Sequence, residues 1–283
     1  RLTRIAKPDT CVITNIGTCH LENLGDRDGV LKAKTEIFQS MQPNGHIVLN
    51  GDDDKLATVD GYHGVKPVFF GLDAARDVYA DQIVSRGLKG VSCRIHMGED
   101  AFDVLVPTPG IHMVYNALAA AAVGRIYGLT IEEIKRGIES LETIRGRFKM
   151  IETENFLVVD DCYNANPMSM KASLDVLHDG EGRRVAILGD MGELGENEIS
   201  LHKEVGEHAA KCGIDVCICV GELSSHMAEA ARKAAPDFEV HYEKDRDSLL
   251  KNLEGYVRKG DTILVKASHF MKFEEVVDAL EKM

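Results

Sequence analysis

The chain has 283 residues, 44% of them apolar, which is enough for about two domains with separate cores. Its formal net charge of -13 argues against a nucleic-acid or anionic-membrane surface, because phosphates are gripped by clustered Lys and Arg. No apolar run approaches the roughly 20 residues of a membrane helix, and the opening RLTRIAKPDT has no signal-peptide core, so the chain reads as cytoplasmic without membrane insertion. In chain order, Cys11 to Ile16 and Gly45 to Leu49 are β-rich runs with the helix-patterned Asp28 to Met41 between them, which predicts a βαβ unit. Beyond Pro67 to Phe70 the character changes. Asp81 to Val84, Val91 to Met97 and Phe102 to Val106 are short strand candidates separated by glycine turns, which predicts a small antiparallel insert or edge. A helical stretch from Val114 to Tyr127 carries NALAAAAVG, whose small side chains let a helix approach a sheet closely. Thr130 is placed to N-cap a second helix through Leu141, with Glu133 as its capping-box partner.

From Asn155 the runs FLVVDD, RRVAILGD, DVCICVG, FEVHY and DTILVKA are each followed by a helical pattern, which predicts a parallel, doubly wound sheet. The boundary between the two regions falls near Arg147 to Thr153, dividing residues 1–148 from 149–283. Seven cysteines without a CxxC pair read as buried thiols in a reducing compartment; Cys162 stands out because it lies in a dense polar motif.

Ligands of open α/β sheets bind beyond the carboxyl ends of the strands, so the polar residues after apolar runs are the first candidates. There are three such clusters: NIGTCH from Asn15 to His20, DDCYNANP from Asp160 to Pro167, and GDMGELG from Gly189 to Gly195. By residue pattern alone a histidine placed like His20 is more often a cap or loop residue than a metal ligand, and Lys34 suits a solvated helix face. Asp160 to Pro167 carries two carboxylates, a phenol and two amides, part of which turn chemistry explains. Asp190 and Glu193 are placed to cap the helix that follows. No GxxxxGK[ST] phosphate loop is present, and Ala33-Lys34-Thr35 lacks the glycines that would make it one.

Taken together, TNIGTCHLENLG, KAKTEIF, GIHMVYNALAAAA, RGRF, DDCYNANPMSM, LGDMGELG and VKASHFMKFEEVV resemble the Mur ligases, in that family's order and across nearly the whole chain. DDCYNANP and LGDMGELG are most similar to the dipeptide-adding members. The fold implied is α/β, with part of the central ATPase domain over residues 1–148 and a Rossmann-like doubly wound C-terminal ligase domain over 149–283. The implied reaction uses ATP and Mg2+ to turn a substrate carboxylate into an acyl phosphate that an incoming amine attacks. The implied substrates are UDP-N-acetylmuramoyl-tripeptide and D-alanyl-D-alanine, for peptidoglycan synthesis, and the protein is expected to be a monomer.

Residue by residue, the resemblance makes His20 a magnesium ligand and Lys34 a second one if it is carbamylated. It assigns Asn116 to adenine, Arg147 to the nucleotide near the domain junction, and Asp161 to the ribose hydroxyls, with Tyr163 and Asn164 lining the same cleft. His112 is expected to be structural and Asn166 to fix its turn. Lys266 and Ser268 match a terminal motif near the incoming dipeptide, but the family's commoner Lys-Gly-Ser-Arg-Gly reads Lys266-Ala267-Ser268-His269-Phe270 here, which puts any arginine contact in doubt. The chain opens at Arg1, and the family's phosphate loop, a magnesium-binding glutamate and uridine-nucleotide domain would precede it. The expectation is therefore a fragment that alone is inactive and binds ATP weakly. Rival readings are another amide ligase of this fold, such as folylpolyglutamate synthase, and a non-catalytic binding module.

Overall fold

The computed structural model describes residues 2–17 and 24–283. These divide into two compact units, residues 2–17 with 24–142, and residues 143–283.

In the first unit a short helix, α1 (Leu2–Ala6), precedes one six-stranded sheet in the order β1 (Thr10–Ile13), β2 (His46–Asn50), β3 (Pro67–Gly71), β4 (Val78–Ser85), β5 (Val91–Met97), β6 (Asp100–Val106). The first three strands pair in parallel, and β4, β5 and β6 continue the same sheet as an antiparallel edge. The expected run Asp81 to Val84 is only the irregular part of β4. Its register shifts there, with Gln82 at φ +50°. Along β5, Val91, Cys93, Ile95 and Met97 point to the core at period two.

The helix expected from Asp28 to Met41 is α2 (Arg27–Thr35) followed by a 3-10 turn, Glu36–Ser40. The Thr35 hydroxyl lies 2.8 Å from the Leu31 carbonyl, a side-chain bond that competes with the helical ladder at this point. α3 (Ile111–Ile126) buries Val114, Ala117, Leu118, Ala121 and Ala122 and packs across β2 to β5. Gly124 lets it close on α4 (Ile131–Glu139), since a Cβ there would stand 2.9 Å from Ile134 Cγ1. The capping box that opens α4 is the expected one, with the Glu133 carboxylate accepting from Thr130 N at 2.8 Å.

The second unit is α/β and mostly parallel, as expected, with strand order β11-β10-β9-β12-β8-β7. The elements are β7 (Lys149–Glu152), β8 (Leu157–Asp160), α5 (Pro167–His178), β9 (Arg184–Gly189), α6 (Glu198–Ala209), β10 (Val216–Val220), α7 (Ser224–Ala234), β11 (Glu239–Glu243), α8 (Arg246–Tyr256), β12 (Thr262–Lys266) and α9 (Glu274–Leu280). β9, β10 and β12 are buried on both faces, which is why they read as unbroken apolar runs. β7 is an additional antiparallel edge strand on β8; only Met150 and Ile151 are apolar in it, and the sequence pattern did not separate it from a linker. The chain runs outward from β9 to β11, then returns to insert β12 between β9 and β8, so the carboxyl ends of these last three strands surround a topological switch point. Among the described residues no helix is long and apolar enough to cross a membrane.

Candidate functional site

Strand alternation separates the two neighbouring aspartates that end β8. Asp160 pairs with Val265 and turns into the core, where it is fully buried. Its Oδ2 accepts from Gly146 N at 2.8 Å and its Oδ1 from the Cys162 thiol at 3.0 Å. Burial, and then the hydrogen bond to Asp160, push that thiol far above its ordinary range, so Cys162 is a protonated structural donor and not a nucleophile.

Asp161 faces the other way, beside Lys266 at the end of the neighbouring β12. Its Oδ2 accepts from Lys266 Nζ at 2.5 Å and from the Ser173 hydroxyl at 2.7 Å. The Ser173 proton has a second possible acceptor, the Ser169 carbonyl at 2.9 Å, but the charged oxygen is the nearer and stronger one. Among the described residues Asp161 Oδ1 has no hydrogen-bond partner, and the side chain is 15% exposed. Lys266 Nζ also donates to the Asn164 carbonyl at 3.1 Å.

Gly146, at φ +77°, passes beneath Tyr163, whose N–H donates to the Gly146 carbonyl at 3.1 Å; a Cβ on Gly146 would stand 3.1 Å from Tyr163 Cβ. This places the Arg147 guanidinium 4.0 Å from the centre of the Tyr163 ring, and His269 approaches the same ring at 5.4 Å. Tyr163, Asn164, Arg147 and His269 are exposed. Asn166 caps α5 by accepting from Ser169 N at 2.9 Å. The structure thus joins Arg147 to Tyr163, and Lys266 to both Asp161 and Asn164.

The loop after β9 is fastened from three directions. Asp190 does not cap the helix that follows it: its carboxylate accepts from the N–H and the hydroxyl of Ser224, each at 2.7 Å, and so holds the start of α7. Ser268, expected near substrate, is buried; its hydroxyl accepts from Gly192 N at 2.9 Å while its own N–H donates to the Asp190 carbonyl at 3.1 Å. Met191 N donates to His202 Nε2 at 3.0 Å, which leaves the imidazole proton on Nδ1, facing the Glu198 carbonyl at 2.7 Å. Burial lowers the proton affinity of His202 and keeps it neutral. Ser173 and His202 had no sequence signal, since each sits within an ordinary amphipathic helix.

In the first unit the loop after β1 is held by the carboxylate of Asp53, which accepts from Ile16 N at 2.7 Å, and by Arg27 Nε on the Ile16 carbonyl at 2.9 Å. Lys34 is exposed and donates to the Asn15 carbonyl at 2.8 Å. The expected partner of Lys34, His20, lies outside the described residues. Asn116 is exposed on α3, near Met113, and lines a cavity of 480 Å³ with Ala117, Ile134, Ile138 and Leu141. Among the described residues no group of three His, Cys, Asp or Glu side chains could hold a metal ion.

Comparison with known proteins gives this geometry its family. Residues 1–124 match the Mur ligase middle domain and residues 146–269 the Mur ligase glutamate ligase domain. The chain is 36% identical to a UDP-N-acetylmuramoyl-tripeptide D-alanyl-D-alanine ligase of Bacillus subtilis over 99% of its own length and 60% of that protein's. It superposes on crystal structure I of MurF from Acinetobacter baumannii with a TM-score of 0.88 at 30% identity, covering 99% of this chain and 61% of that one. A MurF ligase of Thermotoga maritima solved in complex with ADP gives 0.82, also at 30% identity, covering 99% and 63%. The chain spans about three fifths of the length of the relatives it matches. With both domains matched, in the order and places that the strand-end motifs indicate, the chain belongs to the Mur ligase family.

Proposed function

We propose that the protein joins D-alanyl-D-alanine to UDP-N-acetylmuramoyl-tripeptide at the expense of ATP, in the cytoplasm, as a step of peptidoglycan synthesis. The observation that carries the nucleotide half of this reading is Asp161: a carboxylate anchored through one oxygen and open at the other, at the switch point of a parallel sheet. The likeness to the dipeptide-adding relative over 99% of the chain carries the choice of substrates.

In this reading the open oxygen of Asp161 accepts from the ribose hydroxyls. Arg147, its guanidinium over the Tyr163 ring, offers a permanent charge and several donors to the nucleotide, and Asn164 lines the same cleft. Asn116 supplies one donor and one acceptor for adenine beside an apolar cavity. Transfer of the terminal phosphoryl group to the tripeptide carboxylate converts a poor leaving group into phosphate; the dipeptide amine then attacks the carbonyl, phosphate departs and the amide remains.

Mg2+ would neutralise charge between phosphate oxygens. It is bound through one or two protein groups plus waters and phosphates, so the lack of a metal cage among the described residues is compatible with it. As an ammonium, Lys34 is a donor and repels a cation; carbamylated, it becomes an anion able to hold the metal, and His20 is the second proposed ligand.

Phosphate release by the complete gene product tests the assignment. Release that requires the UDP-linked tripeptide, D-alanyl-D-alanine and ATP together is expected. Release with a folate and glutamate instead would move the protein to a different amide ligase, and no release with either pair would favour a binding module.

A further inference from the structure

We propose that Lys266 and Ser173 are positioning residues, which lock Asp161 so that a single oxygen, Oδ1, faces the paired hydroxyls of its ligand. This rests on the nucleotide reading of Asp161 given above. It gives Lys266 a task other than contact with the incoming dipeptide.

Lys266 is 2% exposed, and its ammonium is committed to Asp161 Oδ2 at 2.5 Å and to the Asn164 carbonyl at 3.1 Å. To reach a substrate it would have to leave the carboxylate without its counter-charge in a largely buried place, which is strongly unfavourable. Ser173, 4% exposed on α5, approaches the same oxygen at 2.7 Å from a different element. Two donors on one oxygen, from β12 and from α5, stop the carboxylate from rotating about its last bond. Both lone pairs of Oδ1 are thereby kept for acceptance in one fixed direction.

Such an acceptor matches a cis-diol, whose two neighbouring hydroxyls can share one oxygen. A carboxylate held in its binding orientation beforehand loses less freedom when the diol arrives, so the lock adds to affinity without touching the ligand. The register makes this arrangement: β12 lies beside β8, and Val265 pairs with Asp160, which brings the residue after each strand partner onto a common face.

The test compares binding of ATP and 2′,3′-dideoxy-ATP to the complete gene product by titration calorimetry, in the unmodified protein and in Lys266→Met and Ser173→Ala. Unmodified protein is expected to prefer ATP. Lys266→Met should weaken ATP about tenfold, and Ser173→Ala about threefold, while leaving the dideoxy nucleotide unchanged, because each loses only the oriented hydrogen bonds to the diol. Should Lys266→Met fail to fold, the milder Ser173→Ala carries the same comparison. Equal weakening of both nucleotides, or an unchanged preference in both variants, overturns the proposal. So does a Lys266→Met protein that keeps its nucleotide preference but needs a higher D-alanyl-D-alanine concentration for phosphate release. An unmodified protein with no preference for ATP removes the ribose reading of Asp161 itself, and the lock with it, a result distinct from failure of the lock alone.

Discussion

The strand ends of residues 143–283 and the helices of the first unit hold their candidate side chains in opposite ways. Asp160 is held by Gly146 and Cys162, Asp161 by Lys266 on β12 and Ser173 on α5, Asp190 by the amide and the hydroxyl of Ser224, and Lys266 by Asp161 and Asn164. Lys34 and Asn116 are exposed, each with a single weak or solvent-facing contact. The first kind of site is organised by the fold before any ligand arrives. In the second, the backbone is placed precisely enough to aim a side chain, but the side chain itself is ordered by what it binds, so substitutions there should register in binding while sparing stability.

The largest expected effect breaks or keeps this contrast directly. Asp160→Ala removes a fully buried acceptor and should cost about 3 kcal/mol of stability, whereas Lys34→Ala should change it by no more than about 0.5 kcal/mol, both measured by urea unfolding. Equal losses in the two variants would erase the distinction.

A smaller effect sharpens it through pH. Burial holds the native His202 below its ordinary value of 6.5, so as the pH falls below that value the unfolded chain takes up a proton that the folded one refuses. The stability present above pH 6.5 is then lost at up to about 1.4 kcal/mol per pH unit from this one group. His202→Gln, which keeps an acceptor for Met191 N, should flatten that part of the profile; an unchanged slope would show that other groups set it. The smallest effect concerns the exposed platform: a double-mutant cycle on Arg147 and Tyr163 should return a coupling of about 0.5–1 kcal/mol, and a value near zero would class Tyr163 with the loosely held residues.

What could be read from the amino-acid order follows from how each feature is buried. RVAILG, VCICV and TILVK announce themselves as strands because both of their faces are covered. KMIE, at a solvent-washed edge, does not. The DDCYNANP string marks the candidate site, and the family resemblance singles out Asp161 in it, yet residue types alone do not separate the structural aspartate from the presented one, since that depends on the side of the sheet each one meets. The charged partner of Asp161, Lys266, lies 105 residues away, and only the insertion of β12 beside β8 makes the two neighbours. His202 was unreadable for a related reason: in LHKEVGEHA nothing distinguishes an imidazole that satisfies a loop amide from one facing water.

Ser268 reaches across 76 positions of chain to clasp the loop after β9, giving its own amide to Asp190 and receiving that of Gly192. Three of the four groups in this clasp are main-chain, the Gly192 and Ser268 amides and the Asp190 carbonyl, and only the Ser268 hydroxyl is a side chain. A chimera that imports GDMGELG from a relative therefore keeps the clasp, whereas a chain that loses the serine strands the Gly192 amide.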